Sequence, residues 1–539
     1  MSMPQPGPEK AGPTDQAAAP RSGAPTRLAA FAGLLRRHWI ASALVLAGIV
    51  LRVVTQMAYH PAIIYIDSLK YLYPVWYGSD PVEYKIPLKF LFAFGGTLGT
   101  VEFVQHLLGI GMAILIYAVV VRRGAPRWLG ALAMAPVLLD AYQLQAEAMI
   151  MPDMWFEVMV VVGLALVLWR PTPSMRLLAI GAFFLGAATG MRQVGEILIV
   201  PLLVIVVAMG GGWRQVAKNA VVVTAGFAVA LVGYLSASLY LTHHFWISRS
   251  QVSLTYGRMA EVADCKTLQI PAIEKPLCPT KAEVAKGPDW LEHNLLGPYR
   301  SFKATLPVAL QPKSDQYVAA FDRSVETQQP LKVLSGIWRD STKLYALTRN
   351  AMPGDTPIWR WQFQGNYPSY QPWVFLRGHQ IWLTFPPGYR GSTTQTPHLL
   401  TPWYGGPAQV NTSLAWFLRK YQLHGGYTPG PLLLLFVLTG LAGSVLLLAR
   451  RRLAESGRQL ALACLSFFVT GVAILAASDF FEFSWRYQLP ALVTLPAAGA
   501  LGIAVIAAVV RGSRETPQGA AAAHEQAAGR ESELAAPAS

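Results

Sequence analysis

Apolar runs long enough to cross a lipid bilayer recur along the chain between short polar breaks. A helix needs about 17 to 25 predominantly apolar residues to span the hydrocarbon core. This pattern predicts an α-helical polytopic membrane protein with about ten transmembrane helices. The predicted spans are 39–59, 101–121, 128–143, 153–169, 175–191, 194–211, 219–241, 430–449, 459–478 and 488–510.

The predicted spans fall into two unequal blocks that flank a long, more polar stretch. The chain divides into a disordered N-terminus (1–36), a first block of about seven helices (37–242), a large loop region (243–428), a second block of about three helices (429–511) and a disordered tail (512–539). The large loop region is rich in Trp, Tyr, Pro and Gly, and we expect a folded, mixed structure. The second block does not repeat the first, which disfavours a transporter built from paired repeats.

The placement of Lys and Arg predicts the orientation. Basic residues collect in alternate short connections, as at Arg122 and Arg123 after the second span and at Arg450 to Arg452 after the eighth. The positive-inside rule assigns these connections, and both termini, to the cytoplasm. The large loop region is then extracytoplasmic, on a multi-pass protein of the cell (plasma) membrane. Anionic lipid headgroups account for the net charge of +15, so we expect membrane lipids and no nucleic acid as partners.

Two of the three cysteines share the large loop region. Cys464 falls within a span, whereas Cys265 and Cys278 lie in the part predicted to be outside the cytoplasm. A disulfide between these two is favoured in an oxidising compartment. Two unpaired thiols are the alternative, because spacing alone does not test the geometry that a disulfide requires.

Polar residues at the outer ends of the spans are the candidates for chemistry, because an ionisable group beside a membrane is costly to desolvate. The first outer loop reads YIDSLKYLYPVWY and contains Asp67 and Tyr71. A carboxylate at this position suits a general base that removes a proton from a hydroxyl. The alternative for Asp67 is an N-cap of a short interfacial helix.

The next two outer loops add acids and a cation. QAEAMIMPDMWFE carries Glu147 and Asp153, of which Asp153 also suits the dipole at a helix start, whereas Glu147 has an apolar setting. GMRQVGE places Arg192 on the outer side, against the positive-inside trend. A guanidinium there fits phosphate oxygens, and an ion pair with Glu196 is the alternative.

The last outer loop and the chain before the second span complete the set. SDFFEFSWRYQLP carries Arg486 and Tyr487 immediately before the final span, and EYKIPLKFLF carries Lys85 and Lys89. These lysines add positive charge that could hold a phosphate, although snorkelling to headgroups is the alternative. No zinc-ligand spacing, phosphate-binding glycine loop or hydrolase nucleophile motif occurs with supporting context.

These motifs together resemble the GT-C superfamily of membrane glycosyltransferases, which includes protein O-mannosyltransferases, aminoarabinose transferases and actinobacterial arabinosyltransferases. The matching elements are the Asp-Ser with following Tyr-Leu in IDSLKYL, the Glu at 147, the Arg with a following Gly at 192 to 195, and the Arg-Tyr-x-x-Pro of RYQLP. One element departs, because many relatives carry a His-Pro-Pro where this chain reads YKIPLKF with only Pro87.

The resemblance implies transfer of a sugar from a polyprenyl-phosphate donor to a hydroxyl of a glycan, lipid or protein at the extracytoplasmic face. It implies Asp67 as the general base. Donor or acceptor binding would involve Glu147, Asp153, Arg192, Arg486, Tyr487, Lys85 and Tyr71. No obligatory metal is expected, with a divalent metal ion as the alternative. A transporter or flippase of lipid-linked sugars, or a noncatalytic envelope-assembly protein on the same fold, are the competing hypotheses.

Overall fold

Long apolar helices form the body of the protein, as the sequence predicts. The computed structural model describes residues 33, 35–72, 81, 83–243, 245–248, 251–294, 296–385, 396–400, 404–448 and 454–534. Within these ranges, six helices are long and apolar enough to cross a membrane, so the protein is a helical membrane protein. They are Trp39–Ala58, Leu98–Arg122, Trp213–Tyr240, Gly430–Leu447, Glu455–Asp479 and Leu489–Arg511.

The first block is a bundle of long and short helices. Its elements are α1 (Trp39–Ala58), β1 (Tyr59–His60), α2 (Ser68–Leu72), α3 (Lys85–Ala93), α4 (Leu98–Arg122), α5 (Arg127–Leu139), α6 (Ala141–Ala148), α7 (Asp153–Leu168), α8 (Met175–Met191), α9 (Ile199–Met209) and α10 (Trp213–Thr242). A 3₁₀ turn, Gln193–Leu198, precedes α9. Most of the predicted disordered N-terminus, 1–32 and 34, lies outside the described residues, as do residues 73–80 of the first outer loop.

Four of the ten predicted spans coincide with helices shorter than a typical membrane span. The predicted span 128–143 is interrupted at Asp140, whose carboxylate accepts a hydrogen bond from the amide of Tyr142 and so begins α6. α7, α8 and α9 contain 16, 17 and 11 residues. The predicted spans 153–169 and 175–191 agree with α7 and α8 to within one residue, whereas an apolar count does not detect the break at Asp140 or the 3₁₀ turn before α9.

The large loop region contains a helical part and a small sheet. Its elements are α11 (Gln251–Val262), α12 (Lys281–Val284), α13 (Pro288–His293), α14 (Pro298–Thr305), α15 (Ser314–Gln328), α16 (Pro330–Lys343), β2 (Val374–Arg377), β3 (Gln380–Phe385), β4 (Thr396–Leu399), β5 (Gln409–Val410) and α17 (Thr412–Leu423). Strands β2, β3 and β4 form an antiparallel sheet in that order, and β5 pairs antiparallel with β1. The β1–β5 pair joins the end of α1 to the large loop region.

The helical part of the large loop region has its own apolar core. Tyr256, Phe302 and Phe321 are buried within it. Cys265 and Cys278 form a disulfide beside this core, with their Cα atoms 6.0 Å apart. The disulfide links the end of α11 to the chain that precedes α12.

The second block consists of three helices that pack against one another: α18 (Gly430–Leu448), α19 (Glu455–Asp479) and α20 (Leu489–Leu534). Residues 512–534, which the sequence predicts to be disordered, continue α20 as a helix. This segment is rich in alanine, the residue with the highest helix propensity.

A buried cation joins the large loop region to the second block. Arg258 of α11 is fully buried and pairs with Asp340 of α16 and with Glu261. Its guanidinium also donates a hydrogen bond of 2.8 Å to the backbone carbonyl of Asp479, the last residue of α19. A buried charge requires such partners, so these contacts fix the position of α16 relative to α19.

We expect R258M to lower the free energy of unfolding by about 3–5 kcal/mol, because Asp340 would lose its buried guanidinium partner. Arg339 is the matched control, since it pairs with the same acids but its side chain is 52% exposed. R339M should therefore cost less than about 1 kcal/mol. Unfolding in mixed micelles of increasing denaturing detergent measures both, and equal losses would contradict this assignment.

Candidate functional site

Two carboxylates from distant parts of the chain meet at Arg486. This residue lies in the turn between α19 and α20 and is 7% exposed. Its Nε and Nη2 donate hydrogen bonds of 3.0 Å and 2.8 Å to Asp153, while its Nη1 donates one of 2.6 Å to Asp67. The guanidinium of Arg486 thus binds the Asp153 carboxylate of α7 with two of its nitrogens. Its third nitrogen binds the Asp67 carboxylate of the first outer loop.

Asp153 also binds a second guanidinium. Arg192, at the C-terminal end of α8, donates a hydrogen bond of 2.8 Å from Nη1 to Asp153 Oδ1. The sequence left open an ion pair between Arg192 and Glu196, and the structure pairs Arg192 with Asp153 instead. Asp153 is the first residue of α7, where the helix dipole favours a negative charge.

Asp67 is the more accessible of the two carboxylates. Its side chain is 25% exposed, whereas that of Asp153 is 2% exposed. Asp67 Oδ1 lies 3.2 Å from the Lys70 ammonium, one turn further along the chain. Although burial raises it, the nearby Lys70 and Arg486 hold the pKa of Asp67 well below its usual range. Asp67 is therefore an ionised, weakly basic carboxylate in this state.

Aromatic rings cover the two guanidinium groups. The ring of Tyr487 lies 4.8 Å from the Arg192 guanidinium carbon and 5.6 Å from that of Arg486. The indole of Trp361, from the large loop region, lies 5.5 Å from the guanidinium of Arg486. These cation-π contacts stabilise the charges and limit access of water to them.

Lys85 and Tyr71 line a cavity of about 410 Å³ next to this cluster. Tyr71 lies one helical turn after Asp67, so it connects the cavity to the carboxylate. The remaining walls are mainly apolar and come from α3, α8 and α10, including Phe183 and Val229, which are exposed on the outer surface of the bundle. The cavity therefore combines a charged end with apolar walls that face lipid.

Glu83 is the acidic group of this cavity. Its backbone amide donates a hydrogen bond of 3.1 Å to the carbonyl of Gly190, two residues before Arg192. A Cβ at position 190 would overlap the Glu83 carboxylate, so the Glu83 side chain packs directly on the backbone of Gly190. Burial raises the pKa of Glu83 to about 7, and burial and the neighbouring Lys89 lower the pKa of Lys85 to about 8.

A second polar cluster, the rim on α13, lies close enough to Asp67 for the charges of Asp67 and Asp289 to interact. His293 Nδ1 lies 3.3 Å from Asp289, and its Nε2 lies 3.4 Å from Glu292. Although desolvation lowers it, Glu292 and Asp289 raise the pKa of His293 to about 10. Burial, Asp289 and Glu292 raise the pKa of Glu482 to about 8. The rim is thus rich in acids, with a cationic histidine between them.

Glu147 does not join the cluster around Asp67. It is fully buried on α6, where Oε1 lies 2.6 Å from Nη2 of Arg52 and Oε2 lies 2.9 Å from His106. Glu102 lies 3.6 Å from His106 and extends this network into α4. A Cβ at Gly109 would overlap the Glu147 carboxylate and crowd the Arg52 guanidinium. The structure thus assigns Glu147 to an internal ion pair and not to a surface loop.

This internal network positions the two carboxylates of the site. The chain directly after Glu147 pairs with the first outer loop: Ile63 donates to the carbonyl of Ala148, and Ile150 donates to that of Ile63, both at 3.1 Å. Ile63 is four residues before Asp67, and Ile150 is three residues before Asp153. The Arg52–Glu147 pair therefore fixes the backbone that carries both acids.

Sequence reasoning missed several residues of the site. Trp361 lies in the large loop region, where no motif marks it. Glu83, next to the predicted Lys85, precedes α3. Glu102 and His106 had a detectable signal, since two ionisable residues four positions apart lie in a predicted span. Lys70 was part of the first motif but had no assigned role.

Comparison of the chain with known protein families, with curated proteins and with solved structures finds no match in any of the three. Within the described ranges, no group of three or more His, Cys, Asp and Glu side chains is arranged to hold a metal ion. The expectation that no metal ion is obligatory stays a prediction.

We expect R52M and E147Q each to destabilise the protein by about 3–5 kcal/mol, because each removes the opposite charge of a buried ion pair and, after R52M, leaves Glu147 with His106 alone. The double variant should lose clearly less free energy of unfolding than the two single variants together, since it removes both charges of this pair. Unfolding of the four proteins in mixed micelles gives the coupling free energy. Additive losses would show that the two residues do not depend on each other.

Proposed function

We propose that this protein is a membrane glycosyltransferase that moves a sugar from a polyprenyl-phosphate donor to an acceptor hydroxyl. The observation that carries the proposal is the arrangement at Arg486. A guanidinium anchored on Asp153 presents its remaining nitrogen to Asp67, beside a cavity with lipid-facing apolar walls. A phosphate-binding cation, a carboxylate base and a lipid groove are what this reaction needs in one place.

The donor would lie with its polyprenyl chain in the cavity between α3, α8 and α10. Phe183 and Val229 supply apolar contact for the lipid. Lys85 and Lys89 lie at the same cavity and provide positive charge for the phosphate. The sugar then projects past Tyr71 towards Asp67.

In the proposed step, the oxygen of the acceptor hydroxyl attacks the anomeric carbon of the donor sugar. A bond forms between this oxygen and the anomeric carbon, and the bond from that carbon to the phosphate oxygen breaks. The hydroxyl proton passes to Asp67, and the leaving group departs as polyprenyl phosphate. Arg486, Arg192 and the lysines offset the negative charge that develops on the phosphate.

Asp67 becomes a competent base when the donor binds. In the free protein both of its oxygens are engaged, by Lys70 and by Nη1 of Arg486. Nε and Nη2 keep Arg486 on Asp153, so Nη1 is the nitrogen that can exchange Asp67 for a phosphate oxygen. This exchange would release one oxygen of Asp67 and raise its basicity when the sugar is in place.

The acceptor would approach from the rim on the side of α13. Tyr65 lies 4.9 Å from both Trp361 and Tyr370, and Trp359 stacks on Tyr370 at 6.0 Å. Tyr65, Trp361 and Tyr370 are buried, whereas Trp359 is 47% exposed, so the indole of Trp359 offers the aromatic face on which the apolar face of an acceptor could pack.

The proposal includes the finer topology. Ten membrane passages, with α5, α7, α8 and α9 as short spans, put both termini in the cytoplasm and the Asp67 cluster at the extracytoplasmic face of the plasma membrane. A disulfide between Cys265 and Cys278 fits that orientation, because disulfides persist outside the reducing cytoplasm.

A transporter of lipid-linked sugars is the second candidate. The observation that favours it is the group of ionisable residues inside the bundle: Arg52, Glu102, His106 and Glu147. Such residues often mark transport pathways. Their mutual pairing and their support of the Asp67 loop favour a structural role instead. A transporter would move the donor from one side of a vesicle membrane to the other and would not release polyprenyl phosphate.

We expect D67N to reduce sugar transfer by about 10²–10⁴-fold, because it removes the general base. The assay follows a radiolabelled sugar from a panel of polyprenyl-phosphate donors to cell-envelope acceptors with purified protein. D315N is the matched control, since Asp315 is an exposed acid of α15 that pairs with Lys303. Retained transfer by folded D67N would remove Asp67 from the mechanism.

We expect the KM for the donor to rise as pH increases through 7, because Glu83 then becomes charged beside the phosphate. E83Q should remove this rise and leave a second one near pH 8, where Lys85 loses its proton. The folded-state pKa of Glu83, about 7, lies above its ordinary value of 4.5. The contribution of Glu83 to the free energy of unfolding is therefore full below pH 4.5 and is lost as the pH rises through 7. An unchanged profile in E83Q would exclude Glu83 from donor binding.

A further inference from the structure

Helix α16 carries an exposed apolar stripe. Leu331, Leu334 and Trp338 follow the spacing i, i+3, i+7, which places them on one face of the helix. They are 78%, 59% and 73% exposed, respectively. Large apolar side chains grouped in this way on a polar region usually mark a contact surface.

The rotation of α16 is fixed by its opposite face. Val333, Gly336 and Asp340 are buried there, and Asp340 pairs with the buried Arg258. The helix cannot turn its apolar stripe inward without separating this ion pair. The fold therefore keeps the apolar stripe of α16 exposed.

The C-terminal half of α16 lies at the end of a membrane-spanning helix. The hydroxyl of Ser341 donates a hydrogen bond of 2.6 Å to Oδ2 of Asp479, the last residue of α19. Trp338 is three residues before Ser341, so the two side chains are neighbours on the helix surface. Trp338 thus lies at the level where α19 leaves the apolar layer.

The turn after α16 continues the apolar surface onto a second spanning helix. The backbone at Tyr345 and Ala346 packs on Gly430, the first residue of α18, where a Cβ would overlap it. The next residue, Leu347, is 77% exposed. Leu434 and Leu438 of α18 are exposed on the bundle, so apolar side chains extend from the stripe to the surface that faces lipid.

We propose that Leu331, Leu334, Trp338 and Leu347 form an interfacial anchor that inserts into the lipid headgroup region at the Asp479 end of α19. Tryptophan favours this depth, because its ring is apolar and its N–H remains hydrated. The basic residues beside the stripe are already ion-paired, Lys332 with Asp264 and Arg339 with Glu261. Apolar contact carries the attachment, so it does not depend on anionic lipid. The anchor holds the large loop region against the membrane, independently of what the protein transfers.

Site-directed spin labelling of the full-length protein in phosphatidylcholine nanodiscs tests this inference. In a C464A background, nitroxides are attached to L334C and, separately, to W338C, while Cys265 and Cys278 remain joined as a disulfide. L438C on α18 gives the lipid reference, and E326C on α15 gives the water reference. Collision with oxygen, which concentrates in lipid, is compared with collision with a water-soluble nickel chelate.

We expect both labels to give an oxygen-to-nickel collision ratio that lies between those of E326C and L438C, because the headgroup region separates water from the hydrocarbon core, and this ratio should stay the same in high salt. A ratio like that of E326C at both positions would overturn the anchor, because the stripe would then face water. Low collision with both reagents would also overturn it, since the stripe would then be covered by protein, such as a second copy of this chain. L334C retains Trp338, so the result does not depend on removing the indole.

Discussion

The contact between Arg486 and Asp153 is the interaction on which the site depends. It joins the second block of helices to the first, across more than 300 positions of sequence. Because Asp153 also holds Arg192 and Arg486 also holds Asp67, one carboxylate and one guanidinium bring four segments together. The buried charges of Asp153 and Arg486 are compensated by each other and by these two further partners. A requirement for charge compensation therefore determines the geometry of the candidate site.

A second constraint comes from the buried charges behind the site. Arg52 and Glu147 hold the backbone segment that pairs with the Asp67 loop on one side and leads to Asp153 on the other. Arg258 does the same for the large loop region, because its contacts fix α16 against α19. Buried ion pairs add little net stability, but they define which segments meet. In this protein they align the Asp67 carboxylate, its cationic partners and an apolar cavity.

The sequence predicted the membrane helices and several residues of the site, and it failed in specific ways. Charged residues at the outer ends of apolar spans are costly to desolvate. This cost made four residues candidates: Asp67, Asp153, Arg192 and Arg486. Their convergence could not be predicted, since it depends on how distant helices pack. Glu147 was misplaced because hydropathy does not show that α6 turns back into the bundle towards Arg52. The cap at Asp140 likewise ends α5 where an apolar count continues.

Binding of polyprenyl monophosphate is the most direct test of the central claim that Arg486 is a phosphate site beside a lipid cavity. Native mass spectrometry of the protein released from nanodiscs measures the bound fraction for wild type, for R486Q and for R339Q, a control at an exposed arginine of the large loop region. The account predicts saturable binding to wild type and R339Q that R486Q loses while it remains folded. Equal binding by a folded R486Q would contradict it.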